Sequence, residues 1–377
     1  MPDDMEDAEF IRLFSDQFPP VEDPPPLGKY ASPGRYDRLF MGDNLDGFLD
    51  TLSCDGGELA WGLAPRMQSL NDMYAVTGNS KYLAANLKCT RLVLGYRDDR
   101  VGKSLWTGKV VPAWGSDRYA ERGRSVFAVH TGLIVAAILD FLILARSNPG
   151  FADFLGDEIE TILGEVQEAL GVHDPQWRDG PGEKEGHYVG LDQENVCEGR
   201  PLPGNRLSAM GWALWSCWRA TGSAQHRGRA LAIGTYIKNR LVPSPDGAFY
   251  WTYWLPEEGV KGGAPREPLP GEDTSHAGLT ATLPLILGLV GEVFTNDDLR
   301  RFAMTVRHGF GRLGRGILLG RVTGQPDPEL IQYIGRPSSW LPLSVIDPAV
   351  SATIVDYYLG RKPVPGAREL SQLLRYT

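Results

Sequence analysis

Cysteine is scarce in this sequence: four residues, Cys54, Cys89, Cys197 and Cys217, among 377, with no CxxC spacing. That excludes a disulfide framework and a thiolate zinc centre, and it reads as reduced packing cysteine in a cytoplasmic protein. Positive charge is also short. Lys plus Arg number 38 against 47 Asp plus Glu, a net charge of −9. Nucleic-acid binding needs clustered basic residues to neutralise phosphates, so no nucleic-acid partner is expected. Long apolar runs are missing. The longest candidate, Val126 to Ala145, carries His130 and Asp140 and reads as a buried helix, so no membrane partner is expected. The opening MPDDMEDAEFIRLF has neither a basic n-region nor an apolar h-region, so no secretory signal is visible. There is no HExxH, no P-loop and no G-x-S-x-G elbow, and Gly28 and Gly34 do not make a dinucleotide fingerprint. A metal would require His130, His187 and His276 to converge; neither metal nor other cofactor is expected. What is present suits a folded body with many turns: 42% apolar residues, 23% charged, 45 Gly, 28 Pro and 10 Trp.

A repeat organises the chain. LNDMYAVTGNSKYL, from Leu70, reads as helix, glycine tip, helix; Gly78 takes the left-handed position that ends the first helix, and Asn79 or Ser80 caps the second. LWSCWRATGSAQHR, from Leu214, repeats the design around Gly222 and Ser223. Further tips fall at Ser147–Gly150, at Val290-Gly291 with Thr295 as the following cap, and at Leu359-Gly360. Taken at 78, 148, 222, 291 and 360, the tips are 70, 74, 69 and 69 residues apart. Each unit is an antiparallel helical hairpin followed by a long irregular connection. The incoming helices are expected to start near Leu59, Phe127, Asn205, His276 and Trp340. The outgoing ones should span 80–95, 151–170, 224–241, 295–311 and 366–376, with an earlier helix at 36–53. Five or six such hairpins most often close into an (α/α) toroid, the expected all-α fold, with an open solenoid as the alternative. A small β insertion is expected at 246–254. Residues 1–35 read as an N-terminal arm and 36–377 as one catalytic domain.

Unusual residues collect in the long connections, which lead into the incoming helices. Trp114, Arg118 and then His130 belong to one. His187, Tyr188 and Arg200 precede Asn205 in the next. Glu272, Asp273 and His276 open another, with Trp254 just upstream. Arg321 and Tyr333 precede Trp340. Long loops in compact proteins are usually functional, and convergent polar groups in a concave site mark a candidate active site. Arg118, Arg200, Arg321 and Arg336, with several helix N-termini, would give such a mouth positive potential suited to a carboxylate. Trp114, Trp254 and Trp340, with Trp61 and Trp251, would supply stacking faces for sugar rings. Each has a bland reading too: Thr274 or Ser275 as a cap, Glu272 and Asp273 as complements of the helix dipole, Asn205 as an N-cap, His130 as a hydrogen-bonded core histidine, the tryptophans as core. His173, His226 and His308 read as surface residues on outgoing helices.

In these residues the chain resembles carbohydrate-active (α/α)-toroid enzymes, and most of all polysaccharide lyases acting on uronic acids, of the alginate and glucuronan lyase kind. The likeness rests on the hairpin repeat over about 55–360, on Asn205 and His276 heading successive inner helices, and on Arg321 and Tyr333 further on. It implies a lyase, or an epimerase, that abstracts the C5 proton of a uronate. Asn205, His276 or Arg321 would neutralise the carboxylate, and a tyrosine with a histidine would act as base and acid. The twelve residues between Arg321 and Tyr333 exceed the close pairing of that pattern, which brings in Tyr188 as an alternative acid/base. His130 completes the catalytic candidates. Trp114, Arg118, His187, Arg200, Glu272, Asp273, Trp254 and Trp340 are the substrate-binding ones. The implied partner is an anionic carbohydrate. Two other readings stay open. One is a glycoside hydrolase using paired carboxylates, Glu272 or Asp273 with Asp117, Glu185 or Asp192. The other is a non-catalytic glycan-binding toroid.

Overall fold

The computed structural model describes residues 2–190, 199–256, 270–334, 336–362 and 364–377, with side chains from residue 6 onward. Cys197 and Asp192 lie outside the described residues. The chain is mostly helical, with three two-stranded antiparallel pairs among the described residues. Its packing resolves into two compact units. The first comprises residues 1–35, 203–205 and 236–377, and the second residues 36–202 and 206–235.

In the second unit the hairpins follow the glycine tips. A π-helical turn, Leu59–Leu63, runs into the helix Ala64–Thr77, which ends on Gly78 at φ 66°. Lys81–Gly95 returns. Ala128–Arg146 is the central helix, and Gly204–Thr221, whose body from Arg206 belongs to this unit, packs beside it; Ala224–Lys238 follows Gly222 at φ 77°. Ala128–Arg146 is the one helix among the described residues long and apolar enough to cross a membrane, and 83% of its most apolar window is buried in the protein. Its packing needs a bare backbone at Gly132, where a Cβ would lie 2.7 Å from the Ala209 carbonyl carbon. The expected outgoing helix at 151–170 is broken in two, Pro149–Leu155 and Glu158–Gly171, because Gly156 adopts φ 50° between them. Gly42, at φ 57°, likewise splits the expected 36–53 helix into Pro33–Phe40 and Asp43–Asp50. His173, read as a surface residue, is buried, with Nδ1 2.5 Å from Gln176 Oε1 and Nε2 2.8 Å from Thr131 Oγ1.

In the first unit, Thr274–Thr280 and Thr282–Leu289 lead to Gly291 at φ 75°. Thr295 then caps Asn296–Met304 with the reciprocal bonds of a capping box. The expected start near Trp340 is a 3-10 segment, Pro337–Val345, because Pro342 removes a backbone donor inside it; the α-helix Pro348–Arg361 begins later. Gly360, expected as the fifth tip, lies inside that helix, and its carbonyl accepts a bond of 2.9 Å from Val21 N–H. Ala367–Tyr376 closes the chain. The N-terminal helix Pro2–Gln17 buries Phe10 and Phe14 one turn apart, and Phe14 and Phe18 pack on Tyr357. The strand pair expected at 246–254 forms between Val242–Pro243 and Phe249–Tyr250. The other two pairs, Gly115–Ser116 with Ser125–Val126 and Trp177–Asp179 with Gly186–Tyr188, are additional.

Candidate active site

The first unit builds a histidine–carboxylate pair at the head of a helix. Asp273 is the N-cap of Thr274–Thr280; its Oδ1 accepts from the N–H groups of Ser275 and His276 at 3.1 Å each. Its Oδ2 is 2.6 Å from His276 Nδ1. Capping fixes the carboxylate, and the carboxylate in turn fixes the imidazole, with Nδ1 as the donor and Nε2 left as the accepting nitrogen. The His276 side chain is 38% exposed, against 12% for Asp273. Tyr253 meets the His276 ring edge-on at 5.1 Å between centroids, and Tyr333 lies at 6.3 Å, tilted by 39°. His276 and Tyr333 are thus neighbours, and Tyr253 is a neighbour that the sequence reading left out. Its signal was weak: an aromatic run, GAFYWTYW, that reads equally well as core.

Arg321 belongs to the same neighbourhood in a supporting position. An isolated bridge pairs Asp273 with Arg321, with bonds from Thr274 N–H to the Gly320 carbonyl at 3.0 Å and from Val322 N–H to the Glu272 carbonyl at 3.1 Å. The guanidinium is held by Asp327 Oδ2, at 2.9 Å from Nε and 2.6 Å from Nη2, and by the Gly271 carbonyl at 2.8 Å from Nη1. Asp327 also caps the 3-10 turn Pro328–Tyr333, which delivers Tyr333. Arg321 therefore ties the Asp273 segment to the Tyr333 segment, with its charge already matched by a carboxylate.

Glu272 points the other way. Its side chain is 1% exposed, and Trp251 Nε1 donates to Oε2 at 2.5 Å. Burial, the dominant influence, holds this carboxyl well above the usual carboxylate range, against the opposing hydrogen bond from Trp251. Trp340 is fully buried against Trp251 and Phe310, so it offers no stacking face. Trp254 is half-buried and packs edge-on against Tyr253 at 5.6 Å. Asn205 is buried at the second residue of Gly204–Thr221.

The remaining candidates lie in the second unit. His130 is buried, and its Nε2 accepts from Trp61 Nε1 at 3.0 Å, the core-histidine arrangement. Burial, then Arg206 and Arg118, push its pKa down to about 3, so the ring is neutral. Tyr188 is buried against Trp177, and burial raises its hydroxyl to about 12, which unfits it as a base near neutrality. His187 is buried on the same strand. Trp114 is buried and donates to the Val93 carbonyl at 2.6 Å. Arg118 and Arg200 are exposed. Asp117 is exposed and Glu185 buried. Among the described residues no three His, Cys, Asp or Glu side chains group as metal ligands.

No family model matches the chain, and no curated protein matches its sequence. Among solved structures it is similar to the GH76A α-1,6-mannanase of Salegentibacter sp. HEL1_6, at 15% identity over 84% of this chain and 88% of that one, with a TM-score of 0.50. An inactive variant of that mannanase in complex with α-1,6-mannotriose gives 14% identity, the same coverage and a TM-score of 0.48. A D-mannose isomerase gives 13% identity over 80% of this chain and 73% of that one, with a TM-score of 0.45. The first likeness shows the fold, and it is the all-α class expected from the spacing of the glycine tips, the (α/α) toroid of helical hairpins.

Proposed function

We propose that the chain is a carbohydrate-active enzyme in which His276, oriented by Asp273, transfers a proton at a sugar carbon. The observation that carries this reading is the 2.6 Å bond between Asp273 Oδ2 and His276 Nδ1 on an accessible ring flanked by Tyr253 and Tyr333. The carboxylate holds Nδ1–H and leaves Nε2 turned to take and return a proton. A C–H next to a carbonyl or carboxylate is the sugar proton such a base can remove. Returning it to the other face epimerises the centre, returning it to the neighbouring carbon isomerises the sugar, and losing a C4 substituent instead is the lyase outcome. The committed charge of Arg321 favours a neutral sugar over a uronate, because an additional carboxylate would compete with Asp327 for the guanidinium.

A glycoside hydrolase remains the second reading. It draws on Glu272, whose protonated form burial favours, the form a general acid needs, beside the capping carboxylate of Asp273. One experiment separates the two. Neutral aldoses and ketoses, uronate oligosaccharides and α-1,6-manno-oligosaccharides are incubated with the protein in D2O. The same samples are then read for deuterium at carbon, near-ultraviolet absorbance and new reducing ends. The expected result is deuterium next to the carbonyl of a neutral sugar, with no new reducing ends. His276→Ala should lower that rate about 10²–10⁴-fold, with thermal stability within about 1–2 kcal/mol of wild type. Reducing ends without deuterium exchange would establish the hydrolase, and absorbance from uronates would establish the lyase.

A further inference from the structure

The loop joining Gly115–Ser116 to Ser125–Val126 holds an aromatic residue in a conformation that glycine prefers. Tyr119 has φ 73°. For a residue with a Cβ this is a strained conformation that persists only when the surroundings enforce it. Here they do. Asp117 N–H donates to the Asp55 carbonyl at 2.9 Å, and Ser116 Oγ to the same carbonyl at 3.0 Å. At the far end of the loop Arg124 is buried and held by Asp98, at 2.6 Å from Nη2 to Oδ1, and by Asp55, at 2.8 Å from Nη1. Both ends are thus pinned to one short segment, and the strained residue lies between them.

The strain presents a ring. Tyr119 is 43% exposed, although its ring edge packs on Phe127 at 6.3 Å and on His130 at 6.1 Å. Trp61, half-buried, meets the same His130 ring at 5.9 Å and is fixed there by its bond from Nε1 to Nε2. Gly57 keeps the approach between them bare: a Cβ there would sit 3.1 Å from His130 Cε1 and 3.5 Å from Trp61 Cδ1. Arg118 is exposed with its guanidinium 5.0 Å from the Tyr119 centroid, and Asp117 beside it is exposed. A neutral histidine thus braces two partly exposed aromatic rings, with Arg118 over one face of Tyr119 and Asp117 beside it.

We propose that Tyr119, Trp61 and Arg118 form a carbohydrate-binding platform of the second unit. The aromatic faces take the apolar C–H face of a pyranose, and Arg118 and Asp117 hydrogen-bond its hydroxyls. The ring faces that Arg118 does not cover, with the charges of Arg118 and Asp117 beside them, match a ligand that is apolar on its face and polar at its edge. This proposal rests on the reading of the chain as carbohydrate-active.

The test uses Tyr119→Gly, which removes the ring and suits the backbone, with Tyr119→Phe as the conservative partner. Binding of a panel of neutral monosaccharides, a uronate disaccharide and α-1,6-mannotriose is measured by calorimetry and ligand-observed NMR, and thermal stability on the same samples. The expected result is binding weakened about tenfold or more in Tyr119→Gly and retained in Tyr119→Phe. The melting temperature of Tyr119→Gly should be equal to or above wild type, since the strain is relieved. A sugar that binds wild type and Tyr119→Gly equally overturns the platform and leaves the catalytic reading standing. A fall in melting temperature in Tyr119→Gly shows the ring to be a structural brace and also overturns it. A wild-type protein that binds no sugar of the panel overturns both readings.

Discussion

Glu272 and Asp273 are adjacent carboxyl groups with opposite fates, and the difference is environmental. Asp273 accepts from two backbone N–H groups and an imidazole. Glu272 is sunk against Trp251, where burial favours its protonated form. Glutamine mimics that neutral form. Glu272→Gln should therefore keep turnover within a few-fold and stability within about 1 kcal/mol of wild type, both read at pH 7 by rate and urea denaturation. Glu272→Ala should cost about 1–3 kcal/mol, because Trp251 Nε1 loses its acceptor. A fall of 10² or more in the turnover of Glu272→Gln would make Glu272 the catalytic acid and restore the hydrolase reading. At this scale the sequence was partly legible. A histidine on the first turn of an inner helix is a local pattern, and His276 could be singled out from it; its pairing with Asp273 was not legible, because the cap was expected at Thr274 or Ser275. The commitment of Arg321 to Asp327 was not legible: six residues along the chain do not reveal whether a guanidinium folds back on a carboxylate or faces outward. Nor was the burial of Tyr188, Trp114 and Trp340, which depends on helices distant in sequence.

Glycines set the limits of the helices, in two distinct ways that substitution separates. At Gly78 the backbone is left-handed and a Cβ would meet nothing within 4 Å. Gly78→Ala therefore pays only the conformational penalty, about 1 kcal/mol. At Gly132 the backbone is helical, but a Cβ would lie 2.7–2.8 Å from the backbone of Ala209 and Met210. Backbone atoms of a packed helix cannot move aside as a side chain can, so Gly132→Ala should cost at least about 2–3 kcal/mol, as overpacking does. Equal losses at the two sites, measured by urea denaturation, would refute the close approach of these helices. The same contrast explains which elements could be read from sequence. Gly78, Gly222 and Gly291 end helices by their own φ angles, a local property. Gly42 and Gly156 have the same property inside stretches whose apolar pattern runs on, so two expected single helices are pairs. Gly360 resembles a tip in composition, yet the helix continues through it to Arg361. The short strand pairs, two or three residues long, carry too little pattern to be read.

Across the whole molecule, displaced titrations act with opposite sign in the two units. In the second unit burial lowers His130 to about 3 and His173 to about 4 from 6.5, and lowers His226 as well. Each is a base whose folded pKa is depressed, so the unfolded chain binds more protons between those values and 6.5. The stability they contribute is present above 6.5 and is lost as pH falls through that window. Burial of Asp140, bound by Gln68, Trp212 and Ser216, raises its pKa from 3.8 and opposes them, one carboxyl against three imidazoles. In the first unit Glu272 is a buried carboxyl raised from 4.5. The folded state binds the additional proton there, so its contribution is full below 4.5 and is lost as pH rises through the folded value. The two units should therefore respond to pH in opposite directions. Amide exchange at pH 5 and pH 7.5, corrected for intrinsic chemical rates, reads local opening free energies in each unit separately. Opening of Ala128–Arg146 should be costlier at pH 7.5, and opening of Thr282–Leu289, which continues from the Thr274–Thr280 helix that Glu272 precedes, costlier at pH 5. Glu272→Gln should abolish the second dependence and leave the first intact. Parallel responses in the two helices would mean that the buried imidazoles and Glu272 do not titrate with the displaced values their environments impose.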